Sequence, residues 1–155
     1  MSEAFDLEQL RAISGIVDAV NHSRHIVITC HMSPDGDAMG SSLALARILR
    51  AKKLDVTVVT PDEPNHNLEI IPGFRTVAPL TRSPNRVKRA FESADVIFCL
   101  DYHCLSRVDR LAPYITESKA RRAMIDHHLD PDISVFDWAV SKPQRSSTCS
   151  LLYSV

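Results

Sequence analysis

No apolar run in this 155-residue chain approaches the ~20 residues that a membrane-spanning helix needs. The N-terminal segment MSEAFDLEQL is acidic and lacks the basic start and apolar core of a signal peptide. We therefore expect no membrane association and a cytoplasmic location. The length suits one domain with one core, and hydrophobic and charged fractions of 45% and 24% are typical of a globular protein.

The chain also has no excess of charge of one sign. Its 18 basic and 19 acidic residues give a formal net charge of −1. This disfavours a surface that coats long nucleic acid, because such binding needs many phosphate neutralisations. A short oligonucleotide or a mononucleotide is still a compatible ligand. The four cysteines include no C-x-x-C pair, which argues against a disulfide framework and a thiolate zinc site.

Hydrophobic spacing and turn signals divide the chain into alternating helices and strands. They predict helices over 6–22, 38–52, 85–94, part of 105–118 and the C-terminal stretch SSTCSLLYSV. Continuous apolar runs predict strands at 25–30, 55–60, 96–101, 120–128 and 138–140. Five prolines predict a loop over 61–84. Strands that are apolar throughout and alternate with helices indicate an α/β fold, with a mostly parallel sheet and helices on both faces.

Polar side chains follow three of these predicted strands where each strand ends. The stretch HMSPDGDAMGSS follows the first strand, Asp101 ends the third, and the triplet 126–128 (Asp-His-His) ends the fourth. Loops at the carboxyl ends of parallel strands converge on one crevice. Crowded carboxylates repel one another, so the simplest way to hold them together is one or two divalent cations. Carboxylate and imidazole ligands without thiolate favour Mn²⁺, Mg²⁺, Fe²⁺ or Zn²⁺ over Ca²⁺.

Each of these residues also has an ordinary structural interpretation. Asp37 could simply be the N-cap of the helix over 38–52, with no role as a metal ligand. The sequence PDGD is also a common turn sequence. Two adjacent histidines are often just exposed or hydrogen-bonded side chains. Turn chemistry does not predict, however, that all three polar groups fall at strand ends. That coincidence favours a metal site, where paired cations can activate water and hold a phosphoryl group.

These motifs resemble those of the DHH phosphoesterases, a family named for the triplet that stands here at 126–128. The first family motif is matched by His31, Asp35, Asp37, Gly40 and Ser41. The second motif is matched by VIFCLD, which ends in Asp101, and the order and spacing match across residues 24–128. The stretches SPDGDAMGSSLAL, IPGF, IDHHLDPD and KPQRSSTCSLLY most resemble the branch of bacterial oligoribonucleases (nanoRNases) and 3′-phosphoadenosine 5′-phosphate phosphatases.

The resemblance implies a Rossmann-like DHH domain that holds two Mn²⁺ ions, with Mg²⁺ as a possible substitute. The implied metal ligands are His31, Asp35, Asp37, Asp101 and His127. His31 and Asp35 would hold one ion, and Asp37 and His127 would hold the other. Asp101 would bridge the two ions.

The resemblance also implies two catalytic residues. Asp126 would orient an imidazole from outside the ligand set, and His128 would face the scissile phosphate or the leaving group. Three further residues are candidates for substrate contact. Ser41 could touch phosphate, although helix capping is its commoner role, and Arg107 could pair with a substrate phosphate. His103 could reach the site, with a solvent-facing or orienting histidine as the alternative.

The implied activity is metal-dependent hydrolysis of short RNA oligonucleotides or of 3′-phosphoadenosine 5′-phosphate, with water activated between two metals. Alternatives within the family are a single-strand-specific exonuclease, a cyclic dinucleotide phosphodiesterase and an inorganic pyrophosphatase. A non-catalytic metal-binding fragment is an alternative of a different class. The family pattern continues to a fourth motif and a C-terminal substrate-binding domain. We therefore expect residues 1–155 to be a truncated DHH domain whose full-length form is a homodimer.

Overall fold

Six parallel strands form the centre of residues 4–155, the part of the chain that the computed structural model describes. These strands are β1 (His25–Cys30), β2 (Asp55–Thr60), β3 (Ala78–Pro79), β4 (Val96–Leu100), β5 (Arg121–Asp126) and β6 (Trp138–Ser141). Their order across the sheet is β3-β2-β1-β4-β5-β6, with every neighbouring pair parallel. This is the strand order of a Rossmann-like doubly wound sheet, so the predicted fold class is confirmed.

Five α-helices cover the two faces of the sheet. They are α1 (Leu7–Asn21), α2 (Gly36–Ala51), α3 (Pro84–Ser93), α4 (Ala112–Glu117) and α5 (Thr148–Ser154). One buried cluster joins α1, α2 and α5 to one face, and a second cluster joins α3 and α4 to the other. Along β1, Ile26 and Ile28 enter the first cluster and Val27 the second, because successive strand residues point to opposite faces. Within residues 4–155, no helix has the length and apolarity to cross a bilayer.

Most predicted elements are confirmed to within two residues, and the exceptions lie where the backbone is short or irregular. The predicted loop over 61–84 contains β3, which the prolines concealed. β3 has two residues and lies at the edge of the sheet, where Pro79 removes no central ladder bond. The predicted helix over 105–118 is a 3₁₀ segment (Leu105–Leu111) followed by α4. The predicted fourth strand, 120–128, agrees within that margin and ends at Asp126, so both histidines lie in the loop that follows it.

The sheet aligns the carboxyl ends of the three neighbouring strands β1, β4 and β5. The chain builds β2 and β3 on one side of β1 and then returns to place β4 on the other side, so the strand order reverses between β1 and β4. The register pairs Cys30 with Leu100 and Leu100 with Ile125. The next residues of these three strands therefore emerge side by side. In doubly wound sheets the crevice at this reversal point holds the ligand.

We predict that Gly15→Ala destabilises the protein, because a Cβ at this position in α1 would overlap the indole of Trp138 on β6. The Arg121 guanidinium lies 4.4 Å from the centroid of that ring, so a shift of the indole would also disturb this contact. Alanine alone would stabilise the helix by ~0.5–1 kcal/mol. Overpacking costs ~1–3 kcal/mol, so the net effect in urea unfolding is a loss of about 1–2 kcal/mol.

Gly36→Ala is the matched control, because a Cβ there would meet no heavy atom within 4 Å. This substitution should leave stability unchanged or raise it by a few tenths of a kcal/mol. Equal unfolding free energies for the two variants would contradict the packing of Trp138 on α1.

Candidate metal centre

The Asp101 carboxylate lies at the centre of the polar crevice, between the loops that follow β1 and β5. Asp101 leaves β4 with φ 63°, a left-handed conformation that Asp adopts more readily than most residues. Its side chain is only 2% exposed. Oδ2 lies 3.5 Å from Nε2 of His31, and Oδ1 lies 3.5 Å from Nε2 of His127. Each carboxylate oxygen therefore faces a different imidazole.

His31 follows β1 and presents Nε2 to the crevice. Its Nδ1 lies 2.7 Å from the Met32 carbonyl oxygen. Because a carbonyl oxygen only accepts, Nδ1 carries the proton and the neutral ring has its lone pair on Nε2. Nε2 also lies 3.8 Å from Oδ1 of Asp35. The Asp101 carboxylate raises the pKa of His31, against the opposing effect of burial.

The two acids of the PDGD turn have different structural roles from those that turn chemistry suggested. Asp35, not Asp37, is the N-cap of α2, and its Oδ1 accepts the amide hydrogens of Asp37 and Ala38 at 3.0 Å. The interpretation of Asp37 as that cap is therefore wrong. The Asp37 carboxylate instead accepts the backbone amides of Thr148 at 2.7 Å and Cys149 at 2.8 Å, at the start of α5. Its position is thus set by a contact between distant parts of the chain.

Asp37 also faces His127, which follows β5. Burial acts to raise the pKa of Asp37, but its bonds to Cys149 and Thr148 and the nearby His127 outweigh burial and hold that pKa below its ordinary value. Nε2 of His127 lies 3.6 Å from Oδ2 of Asp37. Nδ1 of His127 lies 3.2 Å from the Arg145 carbonyl oxygen. His127 therefore has the same tautomer as His31, with the Nε2 lone pair toward the carboxylates.

The neighbouring imidazole of His128 is held differently. Its Nδ1 lies 2.7 Å from Oδ1 of Asp126, and its backbone amide donates to Oδ2 of the same residue at 3.1 Å. Asp126 is fully buried. His128 Nδ1 lies 3.9 Å from Oδ1 of Asp101. A carboxylate that fixes an imidazole in this way is the usual arrangement around a general acid or base.

The three candidate substrate contacts are placed unequally. The His103 ring lies 5.7 Å from that of His128, between centroids, and its buried Nδ1 has no hydrogen-bond partner within residues 4–155. The Arg107 carbonyl accepts the Met32 amide at 2.8 Å, so the 3₁₀ segment packs against the turn after β1. Ser41 is fully buried inside α2, where its hydroxyl donates to the Asp37 carbonyl at 2.7 Å. This geometry supports neither a phosphate contact nor capping by Ser41.

Asp62, which was not among the residues predicted for the site, supports the turn after β1. The Asp62 carboxylate accepts the Ser33 amide at 2.8 and 3.0 Å and the Ser33 hydroxyl at 3.1 Å. Ser33 has φ 49°, a conformation that is uncommon for a residue other than glycine and needs external support. Asp62 follows β2 as the other acids follow their strands, so the same strand-end rule could have identified it.

The donor set fits divalent cations. His31, Asp35 and Asp101 offer ligand atoms that all lie within 4.8 Å of one another, and so do Asp101, His127 and His128. The two groups share Asp101. Coordination at about 2.0–2.2 Å places adjacent ligand atoms about 3–3.5 Å apart. The nitrogen-to-oxygen distances of 3.5 to 3.8 Å around Asp101, Asp35 and Asp37 are close to that spacing. An imidazole lone pair that faces a carboxylate oxygen is repelled by it unless a positive charge lies between them.

The chain is similar to known proteins in sequence and in fold. The sequence profile of the DHH family, N-terminal domain, matches residues 25–155. The crystal structure of an exopolyphosphatase-related protein from Bacteroides fragilis is similar, with a TM-score of 0.92 and 32% identity over 97% of this chain and 44% of that chain.

Two structures of a manganese-bound exonuclease share the fold. Exonuclease RecJ bound to manganese gives a TM-score of 0.55 and 18% identity over 96% of this chain and 36% of that chain. RecJ from Thermus thermophilus in complex with Mn²⁺ gives a TM-score of 0.56 and 16% identity over 97% of this chain and 20% of that chain. The chain thus spans less than half the length of each of these three proteins.

We predict that Asp62→Ala loosens the turn that carries His31 and Asp35. Hydrogen bonds to a charged group are worth ~1.5–3 kcal/mol, and partial exposure reduces that value. The Ser33 amide should therefore exchange its hydrogen about tenfold faster in this variant. Glu63→Ala is the matched control, because it removes the neighbouring carboxylate, which pairs with Arg82 at the surface. Identical Ser33 exchange in the two variants would show that Asp62 does not hold the turn.

Proposed function

The chain belongs to the DHH family of phosphoesterases, and on that premise we propose that it is a hydrolase that uses two Mn²⁺ ions to cleave short RNA oligonucleotides or 3′-phosphoadenosine 5′-phosphate. The observation that carries the proposal is the position of Asp101. Its two carboxylate oxygens each lie 3.5 Å from Nε2 of a different histidine. A buried carboxylate between two oriented imidazoles is suited to bridge two cations.

The remaining ligands divide between the two ends of that bridge. His31 and Asp35 would hold one cation, and Asp37 and His127 would hold the other. The backbone carbonyls that accept from Nδ1 of His31 and of His127 keep both Nε2 atoms available, which is the usual way in which a protein orients a ligating histidine. When bound, a pair of divalent cations supplies an activated water and neutralises charge on the phosphoryl oxygens.

His128 would act on the substrate instead of ligating a cation. The Asp126 carboxylate orients its imidazole through Nδ1, so Nε2 is free to hold or deliver a proton at the leaving oxygen. His103 packs near the same ring and Arg107 lies in the adjoining 3₁₀ segment. A guanidinium and an imidazole at this edge would neutralise substrate phosphate charge.

Two considerations support a short substrate. The net charge of −1 provides no basic excess for a long nucleic acid. The stretches around the DHH triplet also resemble those of the nanoRNase branch. A second candidate substrate is linear polyphosphate, which is favoured by the similarity to the exopolyphosphatase-related protein from Bacteroides fragilis. The expected cytoplasmic location and homodimer stay predictions.

The test is chromatographic measurement of the products formed with Mn²⁺ from four substrates. A diadenylate with a 5′-phosphate would give AMP, 3′-phosphoadenosine 5′-phosphate would give AMP and phosphate, linear polyphosphate would give phosphate, and single-stranded DNA would give nucleoside monophosphates. We expect the first two to be cleaved fastest. Asp101→Asn should abolish cleavage and binding of both cations, and Asn tolerates the left-handed backbone at this position.

Asp95→Asn is the control, because Asp95 accepts the Arg24 and His25 amides at the amino ends of β1 and β4, at the opposite ends of these strands from the crevice. Full activity of Asp101→Asn would refute the bridging role. Preference for polyphosphate would replace the proposed substrate with the second candidate.

We further predict that His128→Ala spares cation binding and slows turnover by ~10²-fold or more, because it removes an acid that acts only on the substrate. Elemental analysis should find the same metal content as in the unaltered protein. The control His66→Ala, at an exposed histidine beside Glu69, should change neither quantity. Loss of a cation in the His128 variant would make that residue a ligand.

A further inference from the structure

The hydroxyl of Thr148 lies against the carboxylate that would bridge the two cations. Thr148 is the first residue of α5 and is fully buried. Its Oγ1 lies 2.8 Å from Oδ1 of Asp101. An ionised carboxylate only accepts, so the hydroxyl donates. We propose that Thr148 is a positioning residue that holds Asp101 in its bridging orientation, so that the two cation sites are coupled through this hydrogen bond. The inference rests on the two-cation function proposed above.

The Asp101 carboxylate needs such a contact because its backbone does not fix its plane. Asp101 leaves the strand with a left-handed φ of 63°, but the terminal torsion of an aspartate is broad and roughly twofold. Within residues 4–155, the Thr148 hydroxyl is the closest hydrogen-bond donor to this carboxylate, since the imidazole nitrogens are 3.5 Å or more away. Holding Oδ1 toward His127 also directs Oδ2 toward His31. A free carboxylate could instead turn both oxygens toward one cation.

The hydroxyl is itself held firmly. The Asp37 carboxylate accepts the amides of Thr148 and Cys149, which fixes the start of α5. A threonine side chain is stiff about χ1 because its Cβ is branched. One residue therefore contacts two of the expected carboxylate ligands, one through its backbone and the other through its side chain. A side-chain substitution removes the contact to Asp101 and leaves the amide contact to Asp37.

Capping of α5 does not account for the hydroxyl. Ser147 is the N-cap of α5, and its Oγ accepts the Ser150 amide at 3.0 Å. The Thr148 hydroxyl is directed away from the helix, to a residue 47 positions earlier in the chain. Its only hydrogen bond among the described residues is the one to Asp101. A role in the cation sites, rather than in helix formation, follows from this direction.

Thr148→Val and Thr148→Ser separate the hydroxyl from the shape of the side chain. Valine keeps the branched shape and removes the donor, whereas serine keeps the donor. We expect the unaltered protein and the serine variant to bind two Mn²⁺ ions with the electron paramagnetic resonance spectrum of an exchange-coupled pair. The valine variant should bind the second ion at least tenfold more weakly and lose the coupled signal. Thr60→Val makes the same change at a buried hydroxyl without a partner in residues 4–155 and should behave as the unaltered protein.

Urea unfolding of the metal-free proteins tests whether each variant is folded, and Thr148→Ala replaces the valine variant if valine prevents folding. A coupled pair with unaltered second-ion affinity in the variant without the hydroxyl would overturn the proposal. Equal losses in the valine and serine variants would also overturn it, because the hydroxyl would then not be the cause. If the unaltered protein binds no pair of ions, the proposed function itself fails, and that outcome is separate from the other two.

Discussion

The burial of the Asp101 carboxylate is the constraint on which the rest of the site depends. A charged group that is 2% exposed is costly unless its surroundings compensate the charge. The groups around it come from three separate segments. The Thr148 hydroxyl at the start of α5 donates a hydrogen bond, while His31 after β1 and His127 after β5 direct Nε2 at the carboxylate, where a cation would compensate the charge. The sheet order β1-β4-β5 makes this possible, because it places β4 between the two strands that carry the imidazoles.

The surroundings of the three histidines distinguish residues that the triplet alone leaves equivalent. His31 and His127 each direct Nδ1 at a backbone carbonyl and Nε2 at a carboxylate. His128 directs Nδ1 at the buried Asp126. The first arrangement suits a ligand and the second suits a proton donor or acceptor. Adjacent residues on one strand end can therefore serve different chemistry, because their side chains leave the strand in different directions.

Several features could not be identified from sequence patterns and are defined only by the folded chain. β3 was not predicted, because a strand of two residues is too short to show a hydrophobic periodicity. The sequence suggested Asp37 as a cap of α2, whereas the folded backbone places Asp35 at the cap position. Ser41 has the position of a phosphate contact in the motif, yet packing buries its hydroxyl inside α2. Asp62 lies far along the chain from Ser33, the residue that it supports.

The sequence by itself determined the alternation of strands and helices, the α/β class and the strand ends at which acids and imidazoles stand. Each of these depends on local spacing: apolar runs form the strands, and polar residues must follow where burial ends. Only the tertiary structure decided which oxygen of Asp101 faces which imidazole, that Asp37 accepts the amides of α5, and that the Thr148 hydroxyl is directed at the central carboxylate. Those contacts join residues that are distant in the chain, and they form only when sheet register and helix packing bring the segments within hydrogen-bond distance.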